Sequence, residues 1–336
     1  MRLRKGSVLA GLLALTASAA LAQPLDCLRV PLTDIESGAA IVGPEDLAFH
    51  SPSGTLYISA HDRAGKAGGG LYALPAARLE AGTAARVDAG AATFPHGIAL
   101  DDAGAALAVI DHRDRRKRSR LLVFPVGENG RLAAPEIRED ERLSRANDVA
   151  PDGQGGWLVT IDRGSESGLG RLLEVAVPLA RAKIIRPGQA APFADGLAFA
   201  NGIVRLDDGR VVVAETRADR LTVLTPEGTT AAHVPLNGPP DNLAVLPDGR
   251  VAVAVLTGGL RLMLSRQDWL GFDPPGSRVV AMKPHGTGPE RVLFDDPDGT
   301  ILAAATSAVA AGDRLVIGSV ADSALAVCPL PAAVSR

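Results

Sequence analysis

The chain has 336 residues, 46% hydrophobic and 22% charged, with a formal net charge of −3. That length allows one large domain or two ordinary ones, and a mildly acidic balance with 3% aromatic residues argues against a nucleic-acid partner. Beyond Ala22 no long segment keeps a helical period, and 37 Gly and 24 Pro fall in short clusters, which predicts many short strands joined by turns.

The chain opens as an export signal. Arg2, Arg4 and Lys5 precede an apolar stretch over residues 8–21, and Ala20-Leu21-Ala22 offers small residues for cleavage after Ala22. The stretch is too short and too rich in small residues for a good membrane span. Residues 1–22 are therefore read as a signal peptide, and residues 23–336 as the mature domain of a periplasmic or secreted protein. Cleavage takes the formal charge from −3 to −6, since the signal carries three cations and no acid. The two cysteines, Cys27 and Cys328, lie near the ends of the mature chain, lack CxxC spacing and have no histidine nearby. In an exported protein such a pair is expected to form a structural disulfide.

One phrase then recurs: a turn residue, a polar residue, an apolar pair, a Gly-containing turn, and an apolar run. It reads Pro44-Glu45-Asp46-Leu47-Ala48 before Gly54 and a run at 55–59. It returns as Pro95-His96-Gly97-Ile98-Ala99, Ala146-Asn147-Asp148-Val149-Ala150, Ala200-Asn201-Gly202-Ile203-Val204 and Pro240-Asp241-Asn242-Leu243-Ala244. A degenerate sixth copy is Ala305-Thr306-Ser307-Ala308-Val309. The spacing of about 40 to 65 residues, with further β-branched runs between, is that of four-stranded propeller blades. The expected fold is an all-β, six-bladed β-propeller. Each phrase should precede an inner strand, and the N-terminal strand at 27–30 should pair beside 323–327 to close the ring.

Equivalent positions of the repeats come to one height around the axis. A single polar residue there is most simply a turn former, but a ring of them buried without a partner would be costly. Glu45, Asn147, Asn201, Asp241 and Asn242 offer hard oxygen ligands with a total charge of −2, a set suited to Ca²⁺ rather than Zn²⁺. Asp46 and Asp148, with the backbone carbonyl of Ile98, suggest a second, structural Ca²⁺ deeper in the tunnel.

These phrases, PEDL, FPHGI, AND, FANGI and PDN in this order, with a cysteine at either end, resemble the paraoxonase/arylesterase family over nearly the whole mature chain. The resemblance implies a calcium-dependent hydrolase of lactones and aryl esters. It places the catalytic calcium on Glu45, Asn147, Asn201, Asp241 and Asn242 and the structural one on Asp46, Ile98 and Asp148. It also implies a catalytic histidine pair at His96 and His112 and an aromatic pocket residue at Phe199. The expected partner is a small-molecule lactone or ester, with no protein partner. Two other readings stay open: a gluconolactonase-like sugar-lactone hydrolase, which would normally lack the disulfide and the PHG histidine, and a non-catalytic propeller with structural calcium.

Three features depart from the family. Asp162 is followed by Arg163 where a histidine is usual, the fifth blade reads Val255-Leu256-Thr257-Gly258 where another is usual, and the loop at 64–70 is Gly-rich. The basic run at 113–120, RDRRKRSR, has no aromatics around it and is expected to be a solvated hairpin tip.

Overall fold

The structure is a computed structural model. It describes residues 26–63, 68–88, 90–113, 118–164, 179–258, 274–284 and 290–331. The signal segment, residues 64–67 of the Gly-rich loop and residues 114–117 of the basic run lie outside the described residues. Among the described residues no helix is long and apolar enough to cross a membrane.

Six sheets stand in a ring, a six-bladed β-propeller. Their first strands are Pro44–His50, Pro95–Leu100, Ala146–Pro151, Ala200–Arg205, Pro240–Val245 and Ala305–Ala311. Each of these packs against the first strand of the next blade, and the sixth packs against the first, so the six line the axis. This corrects one expectation. The recurring phrase does not precede the inner strand; it is the inner strand, and the apolar run after it is the second strand of the blade, as in Thr55–Ala60 beside Pro44–His50. Phrases such as PEDLAFH carry too few consecutive apolar residues to stand out as strands, because one side of the innermost strand faces a polar tunnel. The hairpin between first and second strand turns at Gly54, Gly104, Gly155, Gly209, Gly249 and Gly312, all with φ between 65° and 86°, a region glycine enters without steric penalty.

Ring closure follows the expectation. Leu28–Pro31 pairs antiparallel with Ala324–Pro329 and supplies the outer strand of the sixth blade, with Leu28 opposite Val327 and Val30 opposite Leu325. Cys27 and Cys328 are disulfide-bonded across this seam. Arg29 adds a two-pronged contact to Asp322, 2.6 Å on each nitrogen. The first blade gains a fifth strand, Thr33–Asp34, running parallel to Thr83–Arg86.

The core lies between blades rather than on the axis. Ala108, Ile110 and Leu121 of the second blade meet Val149, Trp157 and Val159 of the third. Val212 and Val223 of the fourth meet Val251, Val253 and Val280 of the fifth. Because both faces of each sheet are covered, the second and third strands read as nearly continuous apolar runs. The basic run forms the expected hairpin as far as it is described, with Ala106–Arg113 paired to Arg118–Pro125.

Candidate active site in the central tunnel

The second residue of each inner strand faces the same mouth of the tunnel: Glu45, His96, Asn147, Asn201, Asp241 and Thr306, all buried. These side chains bond to one another across blades. His96 Nε2 lies 3.2 Å from Glu45 Oε1, and its Nδ1 lies 3.0 Å from His112 Nε2. His112 Nδ1 meets Ser119 Oγ at 2.7 Å. The Asn201 amide donates to Asp241 Oδ1 at 2.6 Å and to Thr216 Oγ1 at 3.0 Å. Arg63 donates to the second oxygen of Glu45. The two histidines expected to act together are thus in contact, and Glu45 sits at the end of their chain.

The third residue of each strand lies one step deeper and reads Asp46, Gly97, Asp148, Gly202, Asn242 and Ser307. Here the acids bond to backbone. Asp46 accepts from the amides of Leu47 and, one blade on, Ile98, at 2.9 and 2.7 Å. Asp148 accepts from the amides of Val149 and, one blade on, Ile203, at 2.7 and 2.8 Å. The glycines allow this close approach. A Cβ at Gly97 would meet Asp148 Oδ1 at 2.5 Å and the Asn147 carbonyl at 2.6 Å, and one at Gly202 would meet Asn242 Cα at 2.6 Å. Threonine hydroxyls complete the lacing, Thr160 to the Asn201 carbonyl, Thr216 to the Pro240 carbonyl and Thr306 to the Glu45 carbonyl, at 2.7 to 2.8 Å.

The electrostatics differ between the two layers. Burial and the neighbouring Asp148 charge push the Asp46 carboxyl well above the usual carboxylate range, against the pull of its two amide bonds. Burial pushes Asp148 up to about 7, with smaller contributions from Asp241 and Glu45. Two buried carboxylates thus face each other with backbone amides as their hydrogen-bond partners, an arrangement that is unfavourable without a compensating charge. Ser307 Oγ at the same level is buried with no hydrogen-bond partner among the described residues.

Among the described residues no three His, Cys, Asp or Glu side chains form a metal-binding group. The expected sets rely instead on carboxylates supplemented by amide and backbone oxygens. The donor chemistry fits a hard, oxygen-seeking cation, and the repelling pair Asp46 and Asp148 with the orphaned Ser307 hydroxyl is where such a charge would relieve most strain. From the other end of the tunnel a cavity of about 300 Å³ reaches Asp46 and Asp148.

Phe199, the expected pocket residue, precedes the fourth inner strand with φ 63°, a left-handed backbone that costs a bulky residue about 1–2 kcal/mol. The Arg163 guanidinium lies 5.2 Å above its ring. The sequence did not point to Arg63, Ser119 or Thr160. Arg63 is the last described residue before the Gly-rich loop, Ser119 is embedded in the basic run, and Thr160 is an ordinary strand residue. Only the fold brings them to the tunnel.

Known proteins share the propeller fold. A gluconolactonase from Xanthomonas campestris shares the fold with a TM-score of 0.52 and 18% identity, over 92% of this chain and 96% of that one. A luciferin-regenerating enzyme does so with a TM-score of 0.54 and 16% identity, over 90% and 96%. At such identities the likeness concerns the fold alone. No curated protein sequence matches the chain. The sequence model of the family described as Arylesterase matches residues 35–330, which include every inner strand and the whole tunnel, and the chain therefore belongs to the arylesterase family.

Proposed function

We propose that the protein is a calcium-dependent hydrolase of lactones and aryl esters, acting in the periplasm or outside the cell. The observation that carries this reading is the continuous chain Ser119–His112–His96–Glu45, which ends among the oxygen donors of the tunnel mouth. Glu45, Asn147, Asn201, Asp241 and Asn242 would hold the catalytic ion, and Asp46, Asp148 and the Ile98 carbonyl the structural one. A calcium ion at the mouth would supply Lewis-acid polarisation of the ester carbonyl and a counter-charge for the oxyanion.

The chain's own residues handle the proton. Glu45 only accepts, so a hydrogen on His96 Nε2, 3.2 Å from Glu45 Oε1, would satisfy that contact. His96 Nδ1 then accepts from His112 Nε2, and His112 Nδ1 accepts from the Ser119 hydroxyl. Every member other than Glu45 can reverse its role. With Nε2 unprotonated, His96 donates through Nδ1 to His112, and His112 donates to Ser119 Oγ. In that state Nε2 takes the proton of an attacking water, and the gained charge spreads to His112. The water oxygen bonds the acyl carbon as the acyl C–O bond breaks, and the proton held on Nε2 passes to the departing oxygen, giving an alcohol and a carboxylic acid that ionises to solvent, or a hydroxy acid from a lactone.

A panel of lactones and aryl esters, assayed on purified protein with and without chelator, tests the reading. Turnover lost on chelation and restored by calcium is expected. Full turnover in excess chelator would remove the metal role, and no turnover on any member would favour a non-catalytic ligand-binding propeller. The terminal disulfide and the PHG histidine, both present here, favour the arylesterase reading over the gluconolactonase-like one.

A further inference from the structure

Thr216 stands in the fourth blade where His112 stands in the second. Each follows the residue paired with the start of its inner strand, Asp111 opposite Pro95 and Glu215 opposite Ala200. Each backbone amide donates to the residue just before that strand, His112 to Phe94 at 2.9 Å and Thr216 to Phe199 at 3.1 Å. From there both side chains back the second residue of their own inner strand. His112 Nε2 lies 3.0 Å from His96 Nδ1, and Thr216 Oγ1 lies 3.0 Å from Asn201 Nδ2. The fifth and sixth blades carry Leu256 and Val320 at this position, so the fold itself does not require a polar residue there.

The direction of each hydrogen bond around Thr216 is fixed. Its hydroxyl has one hydrogen, and the Pro240 carbonyl at 2.8 Å can only accept it. Toward Asn201 the hydroxyl is therefore an acceptor. Asp241 Oδ1, 2.6 Å from the same amide nitrogen, accepts as well. Both side-chain hydrogens of Asn201 are thus spent, one on Thr216 and one on the fifth blade, and a flipped amide would turn its oxygen on two acceptors. Oδ1 is held on the opposite edge of the amide from both.

We infer that Thr216 is a positioning residue for the cation at the tunnel mouth: it holds the Asn201 amide so that the oxygen, not the nitrogen, is offered to the ion. The inference rests on the calcium reading of that site. A hard cation takes oxygen ligands, and a carboxamide, unlike the carboxylates of Glu45 and Asp241, presents an oxygen on one edge only. Thr216 acts through Asn201 and, by its bond to the Pro240 carbonyl, also steadies the strand start that carries Asp241 and Asn242.

Calcium titration calorimetry of the full chain, with thermal melts alongside, tests this. Thr216→Val keeps the shape of the side chain and loses the hydroxyl, and Val320 already occupies the corresponding place in the sixth blade. One calcium-binding step should weaken about 10- to 100-fold and the other should not move, while Thr216→Ser should bind as wild type does. In ester turnover the calcium concentration giving half-maximal rate should rise by the same factor, with kcat at saturating calcium near the wild-type value. A Thr216→Val protein that melts lower yet binds calcium normally would reduce Thr216 to a tie between blades and overturn the inference. Side-chain amide NMR of the wild type decides the point without any variant. Calcium should shift the Asn201 Cγ resonance while both amide hydrogens keep their protection from exchange, and loss of that protection on loading would equally overturn it. Absence of calcium binding to the wild type would sink this inference together with the calcium reading, whereas calcium binding without turnover of any ester would count against the hydrolase reading alone.

Discussion

The two polar layers of the tunnel, one residue apart along every inner strand, are built on different principles. At the second position side chains bond side chains: His96 to Glu45 and His112, Asn201 to Asp241 and Thr216. At the third position the carboxylates bond the backbone of the neighbouring blade, Asp46 to Ile98 and Asp148 to Ile203. A bond between side chains can be given up to a ligand or a proton at modest cost, since each partner can turn to another. A buried amide that loses its acceptor has no substitute and costs about 1–3 kcal/mol. The outer layer is therefore suited to chemistry and the inner one to holding blades together, and their separation by a single residue lets one strand do both.

Chelation should break both layers at once. Turnover should be abolished and the melting temperature lowered, because an ion bound only by the folded state stabilises as RT ln(1 + [L]/Kd). Activity assays and thermal melts in excess chelator check this, and unchanged behaviour in both would refute the metal assignment.

Variants should separate the layers. His96→Gln should lower turnover about 10²- to 10⁴-fold and flatten the acid limb of the pH–rate profile, with little change in melting temperature. Asn201→Ala and Asp241→Ala should lower turnover at least about 10²-fold. Asp148→Ala should act mainly on folding, with a large drop in melting temperature or loss of folded protein, as the Ile203 amide is left buried and unpaired. If Asp148→Ala melts like wild type while Asn201→Ala unfolds, the roles of the two layers are reversed.

Further out the effects should be purely structural. Breaking Cys27–Cys328 opens a loop of 301 residues, worth at most about 5–6 kcal/mol in the chain-entropy model. The reduced protein should melt lower yet turn over near normally well below its transition. Mass spectrometry showing two free thiols in the non-reduced protein would remove the seam from the account.

The smallest effect belongs to Asp140, at the start of the turn Glu141–Arg145. Hydrogen bonds from Arg142, with further bonds to the amides of Arg142 and Gly188, hold its carboxyl down at about 2 from an ordinary 3.8. A depressed folded-state value means its contribution is present above about pH 4 and lost as the pH falls toward 2. Asp140→Asn should cost little at neutral pH, since the pair is partly exposed, and should flatten stability across that acid window. Melts of the two proteins from pH 5 to pH 2 that stay parallel would contradict this.

Much of the architecture was legible because repetition multiplies a weak signal. One Asn-Asp or Pro-Glu before a glycine turn means little. Six copies at blade spacing, with a cysteine at either end, led to the propeller, its closure and the positions of Glu45, His96, Asn147, Asn201 and Asp241. What misled was the strand order within a blade. The phrase looks like a turn because its polar residues face a tunnel rather than a core, and nothing local distinguishes a tunnel-lining strand from a loop.

The sequence by itself determined the repeat, the oxygen-rich composition of the ring and the pairing of the chain's ends, since each depends on residue type at a fixed interval. Only the tertiary structure decided which side chains meet. His96 reaches His112 and Ser119 through strand register, 16 and 23 positions along the chain. Gly97 and Gly202 earn their place by neighbours 51 and 40 positions away. Contacts across blades depend on how sheets pack around an axis, and that packing is set by the apolar faces between blades, far from the residues it brings together.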